Sequence, residues 1–310
     1  MVRSTKRTGR YRPVQIDNEK SQLMRTVLVT GGTGTTGRRV AAFLRARGTA
    51  VRTASRHPVA GDDQHVIFDW ADPGTFATAL EGVDRVFLVA PLSDSDPAAA
   101  VGGFLDAAVA AGTRRVALLS SSAVTDAPSG LGALPPLVRQ RVPEAAVLRP
   151  SWFMQNFVGS HPVAVGIRER GEIVTATGRG RVAFIDPDDI AAVAGHLLLG
   201  TPIPDGELIL TGPQALSYDT AAAVISEVTG TAVRHTSVTV EELTAAIEAG
   251  GVPHDYARVL ADMDAEIAGG SAERITTTVR DITGREPRSL RDFLGDAYRI
   301  PSAHPARAMI

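Results

Sequence analysis

The sequence predicts an α/β fold in which helices cover both faces of a doubly wound parallel sheet, followed by a smaller mixed α/β C-terminal lobe. Two observations lead to this prediction. Short apolar runs alternate with stretches of helical spacing over about the first half of the chain, and such alternation is typical of parallel sheets with crossover helices. In addition, the residues GGTGTTG at 31–37 join the first apolar run to the first helical stretch.

The elements of the first half follow from this alternation. Val86–Val89 and Val116–Leu119 are apolar at every position, as strands buried on both faces are. Strands are predicted near 26–30, 50–55, 65–69, 84–90, 114–120 and 145–149. Helices are predicted near 35–47, 73–81, 97–111 and 132–141. Right-handed crossovers between such strands give a doubly wound sheet, whose ligands bind beyond the carboxyl ends of the strands.

After about residue 151 the pattern changes to shorter strands mixed with helices. Strands are predicted near 172–176, 181–185 and 207–211, and helices near 187–199, 218–229, 240–249, 254–268 and 288–297. We therefore divide the chain into a first domain at 24–159 and a smaller substrate-binding lobe at 160–310, with helix 187–199 packing back on the first domain. Residues 1–23 are basic and poor in apolar side chains, which predicts a disordered tail.

Composition narrows the classes of function. The formal net charge of −2 gives no general attraction to nucleic acid or to an anionic membrane, and no apolar run reaches the ~18–20 residues that a membrane helix needs. The chain has no cysteine, which excludes disulfide bonds and thiolate nucleophiles. We expect a cytoplasmic protein that acts on a small-molecule substrate, with no nucleic-acid or membrane partner. The sequence leaves the oligomeric state open.

The glycine-rich turn has the features of a pyrophosphate-binding loop. Gly31 can turn the chain tightly, Gly34 allows a phosphate to approach the backbone, and Gly37 allows close packing of helix on strand. The N-terminus of the following helix offers unpaired N–H groups to the anion. These observations predict a Rossmann-like nucleotide-binding fold, in which the cofactor contacts of the turn are Gly31, Thr33, Gly34, Thr35, Thr36 and Gly37.

The end of the second strand predicts which dinucleotide binds. NAD-selective folds place an acidic residue there to hold the ribose hydroxyl groups, whereas this chain has Ser55 and Arg56. An arginine and a hydroxyl group are suited to a 2′-phosphate, and Arg38 adds a second charge nearby. We therefore expect NADPH, the alternative being that Arg56 is only a solvated surface residue.

Further cofactor contacts are expected at the ends of the other strands. Asp69 is placed to meet the adenine, although it also suits a capping role, for which Asp72 is better placed. Ala90 and Pro91 end the fourth strand and are expected beneath the cofactor. Pro150, just after the sixth strand, is expected near the nicotinamide, and Ser120 is a further expected cofactor contact.

The usual proton relay of short-chain dehydrogenases is absent from the sequence. That relay pairs a tyrosine with a lysine four residues later, and the tyrosine protonates the carbonyl oxygen as hydride arrives. The only lysines are Lys6 and Lys20, both before the first strand. Either the protein carries out no redox chemistry, or its substrate accepts hydride with little help, as a cationic iminium carbon or a quinone does.

Candidate catalytic residues follow the fifth and sixth strands. Ser122, in the run SSS at 120–122, is placed to polarise a substrate, although such hydroxyl groups also satisfy loop backbone. His161 is a weaker candidate for a proton donor, because a single histidine is more often structural. Asp186-Pro187-Asp188-Asp189 indicates a helix cap rather than a metal site. The histidines have no paired spacing, so no metal is expected.

The segment SWFMQNF at 151–157 combines aromatic and amide side chains directly after the sixth strand. This combination suits a flat apolar substrate that carries a polar group. Packing of the same side chains in the core of the second lobe is the alternative. The predicted substrate contacts are Trp152, Phe153, Gln155 and Asn156.

Six stretches of the chain resemble the NmrA-like atypical short-chain dehydrogenase/reductases, in particular the ergot-alkaloid type, the agroclavine and festuclavine dehydrogenases. The resemblance covers nearly all of 24–297 and is carried by MRTVLVTGGTGTTGRRV, FDWADPGTF, LRPSWFMQNF, TATGRGRVAFIDPDDIAAVA, LTGPQALSYDTAAAVISEVTG and DITGREPRSLRDFL. It implies an NADPH-type cofactor, with Gly31, Gly34, Gly37 and Arg56 at cofactor positions, and reduction of a C=N or C=C bond in specialised metabolism. Residues 128–143, with four prolines, depart from the histidine-containing helix of relatives.

Sequence reasoning therefore favours an NADPH-dependent reductase that delivers hydride to a cyclic iminium or imine. A quinone or enone reductase on the same scaffold is the second enzymatic interpretation. Two further interpretations remain: a non-catalytic sensor that binds the dinucleotide and regulates a partner, and a cyclase or isomerase that kept the fold without hydride transfer.

Overall fold

The computed structural model describes residues 26–91 and 96–299, so the predicted tail at 1–23 lies outside the described residues. Its strands are Thr26–Thr30 (β1), Ala50–Ser55 (β2), His65–Ile67 (β3), Val83–Val89 (β4), Arg115–Leu119 (β5), Glu144–Pro150 (β6), Glu172–Thr175 (β7), Arg181–Val182 (β8), Leu208–Leu210 (β9), Leu216–Ser217 (β10) and Arg234–Ser237 (β11). Its α-helices are Thr35–Arg45 (α1), Phe76–Leu80 (α2), Ala98–Ala110 (α3), Leu134–Arg141 (α4), Pro162–Arg170 (α5), Pro187–Leu199 (α6), Tyr218–Thr229 (α7), Val240–Ala249 (α8), His254–Ala268 (α9), Thr278–Thr283 (α10) and Leu290–Arg299 (α11).

Seven strands form one parallel sheet in the order β3-β2-β1-β4-β5-β6-β9. The chain builds outward from β1 to β3, then crosses back and builds in the other direction from β4. The strand order therefore reverses between β1 and β4, and a crevice for ligands opens at this point in a doubly wound sheet. The predicted α/β fold class is confirmed.

Helices cover both faces of this sheet because its strands carry apolar side chains on both faces. Val27 and Val29 point to the layer formed by α1, α6 and α10, while Leu28 points to the layer formed by α2, α3 and α4. Alternate residues of a strand face opposite sides, so one run of three valine and leucine side chains contributes to both cores.

The remaining elements build a smaller body beside the sheet. Strands β7 and β11 pair in parallel, and β8 pairs with β10 in antiparallel fashion. Its apolar core takes Ile173 from β7, Ile225 from α7 and Phe293 from α11. Phe157 and Phe184 lie in the same core, with ring centroids 5.0 Å apart, so the segment after β6 enters this second body directly.

Helix α6 is held at both ends by charged side chains. Asp186 is the N-cap, and its carboxylate accepts the N–H of Asp188. At the other end, Arg85 and Arg115 donate to the carbonyl oxygens of Leu198 and Leu197. Acidic groups at the N-terminus and basic groups at the C-terminus both interact favourably with the helix dipole. The helix therefore keeps a fixed position, with its N-terminus carrying three aspartates.

The structure differs from the predicted elements in a few places. The strand near 207–211, which the sequence placed in the second lobe, is β9 and extends the main sheet beside β6, because Leu208 and Leu210 pack in the core of that sheet. The predicted helix near 73–81 is a 3₁₀ turn at Pro73–Thr75 followed by α2, since Asp72 caps the turn and the proline follows it. Two short helices, α5 and α10, carry too weak a periodic signal to be predicted.

Candidate functional site

The glycine-rich turn has a geometry that only glycine can adopt at two of its positions. Gly31 has a φ of 61°, in the left-handed region that favours glycine. A Cβ atom on Gly37 would lie 2.2 Å from the carbonyl oxygen of Gly31, well inside contact distance. The first turn of α1 therefore rests directly on the backbone of the turn.

The N-terminus of α1 faces outward without a cap from its own sequence. Gly34 is the N-cap and brings no side chain, and the first turn of the helix holds no acidic residue. Thr33 and Gly34 are exposed, while Thr35 is half-buried and Thr36 is buried. Backbone N–H groups of a first helical turn have no partner within the helix, so this arrangement is suited to an anion.

The turn lies at the point where the strand order reverses. The side chain of Thr30, the last residue of β1, bonds to the last residue of β4, Val89. Ala90 is buried and Pro91 is half-buried directly after β4, which places both residues beside the turn. Residues 92–95 lie outside the described part of the chain.

Two arginines near the turn are free of ion pairs. Arg56 directly follows β2 and Arg38 lies in the first turns of α1; both are exposed, and neither pairs with an acidic group within 26–91 and 96–299. Their neighbours on α1 are engaged: Arg39 pairs with Asp188, and Arg45 pairs with Asp62. The two cations are therefore available to an anionic ligand.

Ser55, at the end of β2, belongs to a polar cluster. Its hydroxyl group donates to the carbonyl oxygen of His57 at 2.9 Å and lies 3.2 Å from His65 Nε2. Thr53 joins the cluster, donating to Asp62 Oδ2 at 2.9 Å. Partial burial opposes ionisation of Asp62, but hydrogen bonds from Arg45 and Thr53 hold its pKa below the usual value. This cluster fixes the backbone that carries Arg56.

Asp69 has its carboxylate engaged locally. Its Oδ1 accepts the N–H of Ala71 at 3.0 Å, and its backbone carbonyl oxygen accepts the hydroxyl group of Thr75. Asp72 caps the following turn by accepting the N–H of Gly74 at 3.0 Å. The predicted cap at Asp72 is confirmed, and Asp69 shapes the turn that follows β3.

The three serines after β5 have different environments. Ser121 Oγ accepts the N–H of Ala123 at 3.2 Å, so it supports the turn. The backbone N–H groups of Ser120 and Ser122 donate to the carbonyl oxygens of Leu148 and Pro150. The hydroxyl groups of Ser120 and Ser122 have no hydrogen-bond partner among the described residues, and both side chains are half-buried. Pro150, at the end of β6, is buried beside them.

A buried arginine holds this serine loop in place. Arg149 is 4% exposed, and its guanidinium group donates to the carbonyl oxygen of Val124 and to the carboxylate of Asp126. Glu207 lies 3.5 Å from Arg149 Nε. This role could not be predicted from the sequence, because an arginine inside a strand carries no pattern that distinguishes it from a surface residue.

The segment after β6 divides its side chains between two cores. Phe153 packs against the core that α1 and α6 cover, whereas Trp152 packs against the core of the second body. Both aromatic side chains are half-buried, as are Gln155 and Asn156. Gln155 Oε1 accepts a hydrogen bond from Arg39 Nη2 at 3.1 Å. The segment therefore lies at the junction of the two bodies.

His161 and Asp186 act as helix caps. His161 Nδ1 accepts the N–H of Val163 at the start of α5, so one ring nitrogen already has a structural partner. The predicted cap at Asp186 is confirmed. Within 26–91 and 96–299, no group of three histidine, aspartate or glutamate side chains is placed to hold a metal ion.

Asp186 and Asp189 are buried carboxylates at the N-terminus of α6. Burial raises the pKa of both groups, although backbone N–H groups and the guanidinium groups of Arg285 and Arg288 oppose that rise. Arg288 Nη1 lies 3.1 Å from Asp186, and Arg285 Nη2 lies 2.8 Å from Asp189. These pairs fasten the link between α10 and α11 to α6.

No helix among the described residues has the length and apolar character that crossing a membrane requires.

Comparisons with known proteins agree with the geometry of the turn. A family model described as NAD(P)H-binding matches residues 31–151. The chain is 44% identical over 268 residues to the uncharacterized oxidoreductase YesF of Bacillus subtilis, covering 86% of this chain and 93% of that protein. It is 35% identical over 292 residues to the agroclavine dehydrogenase of Claviceps fusiformis, covering 89% of this chain and 98% of that protein.

Among solved structures, the fold is similar to that of the Citrobacter sp. triphenylmethane reductase complexed with NADP(H). The TM-score is 0.73 and the sequence identity 22%, with 88% of this chain and 99% of that chain covered. At that identity the likeness concerns the fold, and it extends over the whole of the smaller protein.

Proposed function

We propose a specific reductase activity for this chain, which belongs to the NmrA-like family of NAD(P)H-binding oxidoreductases that includes the agroclavine and festuclavine dehydrogenases. In this proposal the protein uses NADPH to reduce an electrophilic small molecule, a cyclic iminium or imine in specialised metabolism. The observation that carries the proposal is the α1 N-terminus without a side-chain cap at the reversal point of the sheet. Arg38 and Arg56, which have no ion-pair partner among the described residues, lie near it.

The residues of the site are suited to a phosphorylated dinucleotide. The glycine-rich turn offers backbone N–H groups and no side chain at Gly34, which leaves room for a pyrophosphate against α1. Arg56 and Arg38 would hold a 2′-phosphate, for which a guanidinium fork is well matched. A bound reduced nicotinamide would supply the hydride.

The chain's own contribution to the reaction is orientation. Ala90, Pro91 and Pro150 would form the apolar floor beneath the nicotinamide, and the serine loop would stand beside it. The half-buried aromatic side chains Trp152 and Phe153 would hold a flat acceptor and exclude water. Orientation and exclusion of water account for large rate effects in cofactor enzymes.

An iminium acceptor is compatible with a chain that lacks the usual pair of tyrosine and lysine for proton transfer. Hydride addition to a C=N⁺ carbon forms a C–H bond and a neutral amine, and no proton has to reach the nitrogen. The site therefore needs no tyrosine and lysine pair. Within this proposal the hydroxyl group of Ser122, which has no hydrogen-bond partner among the described residues, is available to donate a hydrogen bond to a polar group of the acceptor.

Steady-state oxidation of NADPH with a panel of acceptors tests this proposal. The panel contains cyclic iminium salts, quinones and enones, and each acceptor is tested with NADPH and with NADH. We expect the highest kcat/KM for an iminium salt with NADPH. Equal rates with NADH would contradict the cofactor assignment. Turnover confined to quinones would contradict the iminium substrate and favour a quinone reductase.

The same protein preparation distinguishes the non-reductase interpretations. Tight binding of the dinucleotide in calorimetry, without turnover of any acceptor, would indicate a sensor. Product formation that does not depend on added dinucleotide would indicate a cyclase or isomerase. Both outcomes would contradict the reductase proposal.

A further inference from the structure

One guanidinium group joins three elements around the crevice. Arg39 lies on α1, two residues after the glycine-rich turn, and its Nη1 donates to the carbonyl oxygen of Thr35 at 2.8 Å. Its Nη2 donates to Gln155 Oε1 at 3.1 Å. Its Nε lies 2.8 Å from the carboxylate of Asp188, in the first turn of α6.

The three partners of Arg39 lie far apart in sequence. Gln155 is 116 residues from Arg39 along the chain, and Asp188 follows the buried cap Asp186. The side chain of Arg39 is 19% exposed, whereas that of its partner Asp188 is 58% exposed. The guanidinium group is therefore partly shielded from water, and charge-assisted hydrogen bonds are stronger there than at the open surface. All three guanidinium nitrogens are engaged at once.

The segment that Arg39 reaches is also held by contacts on both sides of Gln155. Between β6 and α5, its backbone bonds to Ile185 at two points: Met154 N–H donates to the Ile185 carbonyl oxygen, and Ile185 N–H donates to that of Trp152. Both bonds lie on the N-terminal side of Gln155. On the C-terminal side of Gln155, Phe157 is buried in the core of the second body. The side-chain bond from Arg39 adds a tie between Gln155 and α1.

We propose that Arg39 is a positioning residue, which sets the distance between the glycine-rich turn and the substrate segment 152–157. This inference rests on the reductase function proposed above and assigns to Arg39 a role in placing the acceptor rather than in binding the dinucleotide. Its neighbour Arg38 is exposed and has no ion-pair partner within 26–91 and 96–299. Two adjacent arginines therefore serve different tasks, one toward the cofactor phosphate and one toward the acceptor.

A double-mutant cycle tests the proposal. Arg39→Met and Gln155→Leu each remove one side of the hydrogen bond, and each should lower kcat/KM for a dihydroisoquinolinium salt by about tenfold, because small displacements of a reacting group are costly. The double variant should lose about tenfold as well, since the two residues act through one contact. Arg47→Met, two residues after the end of α1 and stacked on Phe43, is the control and should match the wild type.

Two readouts separate positioning from general loss of structure. The Kd of NADPH in calorimetry should change by less than about threefold in Arg39→Met, because the turn is intact. The chain has two tryptophans, so a Trp70→Phe background leaves Trp152 as the only donor of energy transfer to bound NADPH. The efficiency of that transfer should change in Arg39→Met and Gln155→Leu at saturating NADPH, and stay at the wild-type value in Arg47→Met.

The outcomes are distinguishable. Loss of NADPH binding in Arg39→Met, a roughly hundredfold loss in the double variant, or unchanged kcat/KM in both single variants would each overturn the positioning role. If the wild type binds no dinucleotide or reduces no acceptor, the reductase proposal fails instead. Should Arg39→Met fold poorly by its melting temperature, Gln155→Leu and Arg39→Lys carry the same comparison, and Arg39→Lys should recover part of the lost transfer.

Discussion

The hydroxyl group of Thr30 accepts the N–H of Val89 at 2.8 Å, joining the last residue of β1 to the last residue of β4. Thr30 is completely buried. The same hydroxyl lies 3.3 Å from the carbonyl oxygens of Phe87 and Val89, to which it can donate. This bond joins the ends of the two strands between which the strand order reverses, in addition to their backbone pairing, so the Thr30 side chain helps to hold the edge where the dinucleotide is proposed to bind.

Thr30→Val should therefore lower both stability and dinucleotide affinity. Valine has the same shape but leaves the N–H of Val89 buried without a partner, which costs about 1–3 kcal/mol. The control is Thr113→Val, because Thr113 is also buried and bonds to Val83 at the opposite end of β4. Chemical denaturation should show a loss in both variants, whereas calorimetry should show weaker NADPH binding only in Thr30→Val. Equal affinities in the two variants would contradict this role.

Arg56→Ala should reduce the preference for NADPH over NADH. Loss of a charge-assisted bond to the 2′-phosphate should cost about 1.4 kcal/mol or more, which is about tenfold in the ratio of kcat/KM values. Arg114→Ala is the matched control, since Arg114 is exposed and lies at the other end of the sheet, before β5. An unchanged ratio in Arg56→Ala would leave Arg56 a surface residue without a role in cofactor choice.

Ser121→Ala should lower stability and Ser122→Ala should lower activity. Ser121 caps the N–H of Ala123, so its loss should lower the free energy of unfolding by about 1 kcal/mol and leave kcat near the wild-type value. Ser122 has no such hydroxyl bond among the described residues, so its loss should leave stability within about 0.5 kcal/mol and lower kcat/KM. Thermal denaturation and steady-state assays measure both. Equal activity in the two variants would exclude Ser122 from contact with the acceptor.

Asp264→Asn should make stability less sensitive to rising pH. Burial raises the pKa of Asp264 above its usual 3.8, although the N–H of Ala176 and nearby His235 oppose the rise. The native state then holds the proton more tightly than the unfolded state, so wild-type stability is lost as pH rises from about 3.8 through the raised pKa.

The asparagine variant keeps an acceptor for Ala176 and has no proton to lose. Its free energy of unfolding relative to the wild type should therefore increase between about pH 4 and neutral pH. Asp262→Asn, on the same helix but half exposed and paired with Arg258, is the control variant. A constant difference between Asp264→Asn and the wild type across this range would contradict the argument.

The sheet and the glycine-rich turn could be predicted because their signals are local. Runs such as Val86–Val89 are apolar at every position, which indicates a buried strand. The glycine spacing in GGTGTTG is typical of the turn between a first strand and a first helix that binds a pyrophosphate. The helix caps at Asp72 and Asp186 could also be predicted from the local sequence, since an acidic residue before a proline is typical of the start of a helix.

Contacts between distant segments could not be predicted. Arg39 and Arg149 look like any other arginines in the sequence, and their roles depend on which loops the fold brings within reach. The placement of β9 beside β6 also depends on tertiary packing, since a three-residue strand carries no information about its neighbour.

Transfer of deuterium gives the most direct test of hydride delivery from NADPH to an iminium carbon. The protein is incubated with NADPH deuterated at nicotinamide C4, on the face that it uses, and with a dihydroisoquinolinium salt. The account predicts an amine whose mass is one unit higher than that of the amine formed with unlabelled NADPH, with deuterium at the former iminium carbon. An amine formed without deuterium from either C4-labelled form of NADPH, or no amine at all while the dinucleotide is bound, would contradict it.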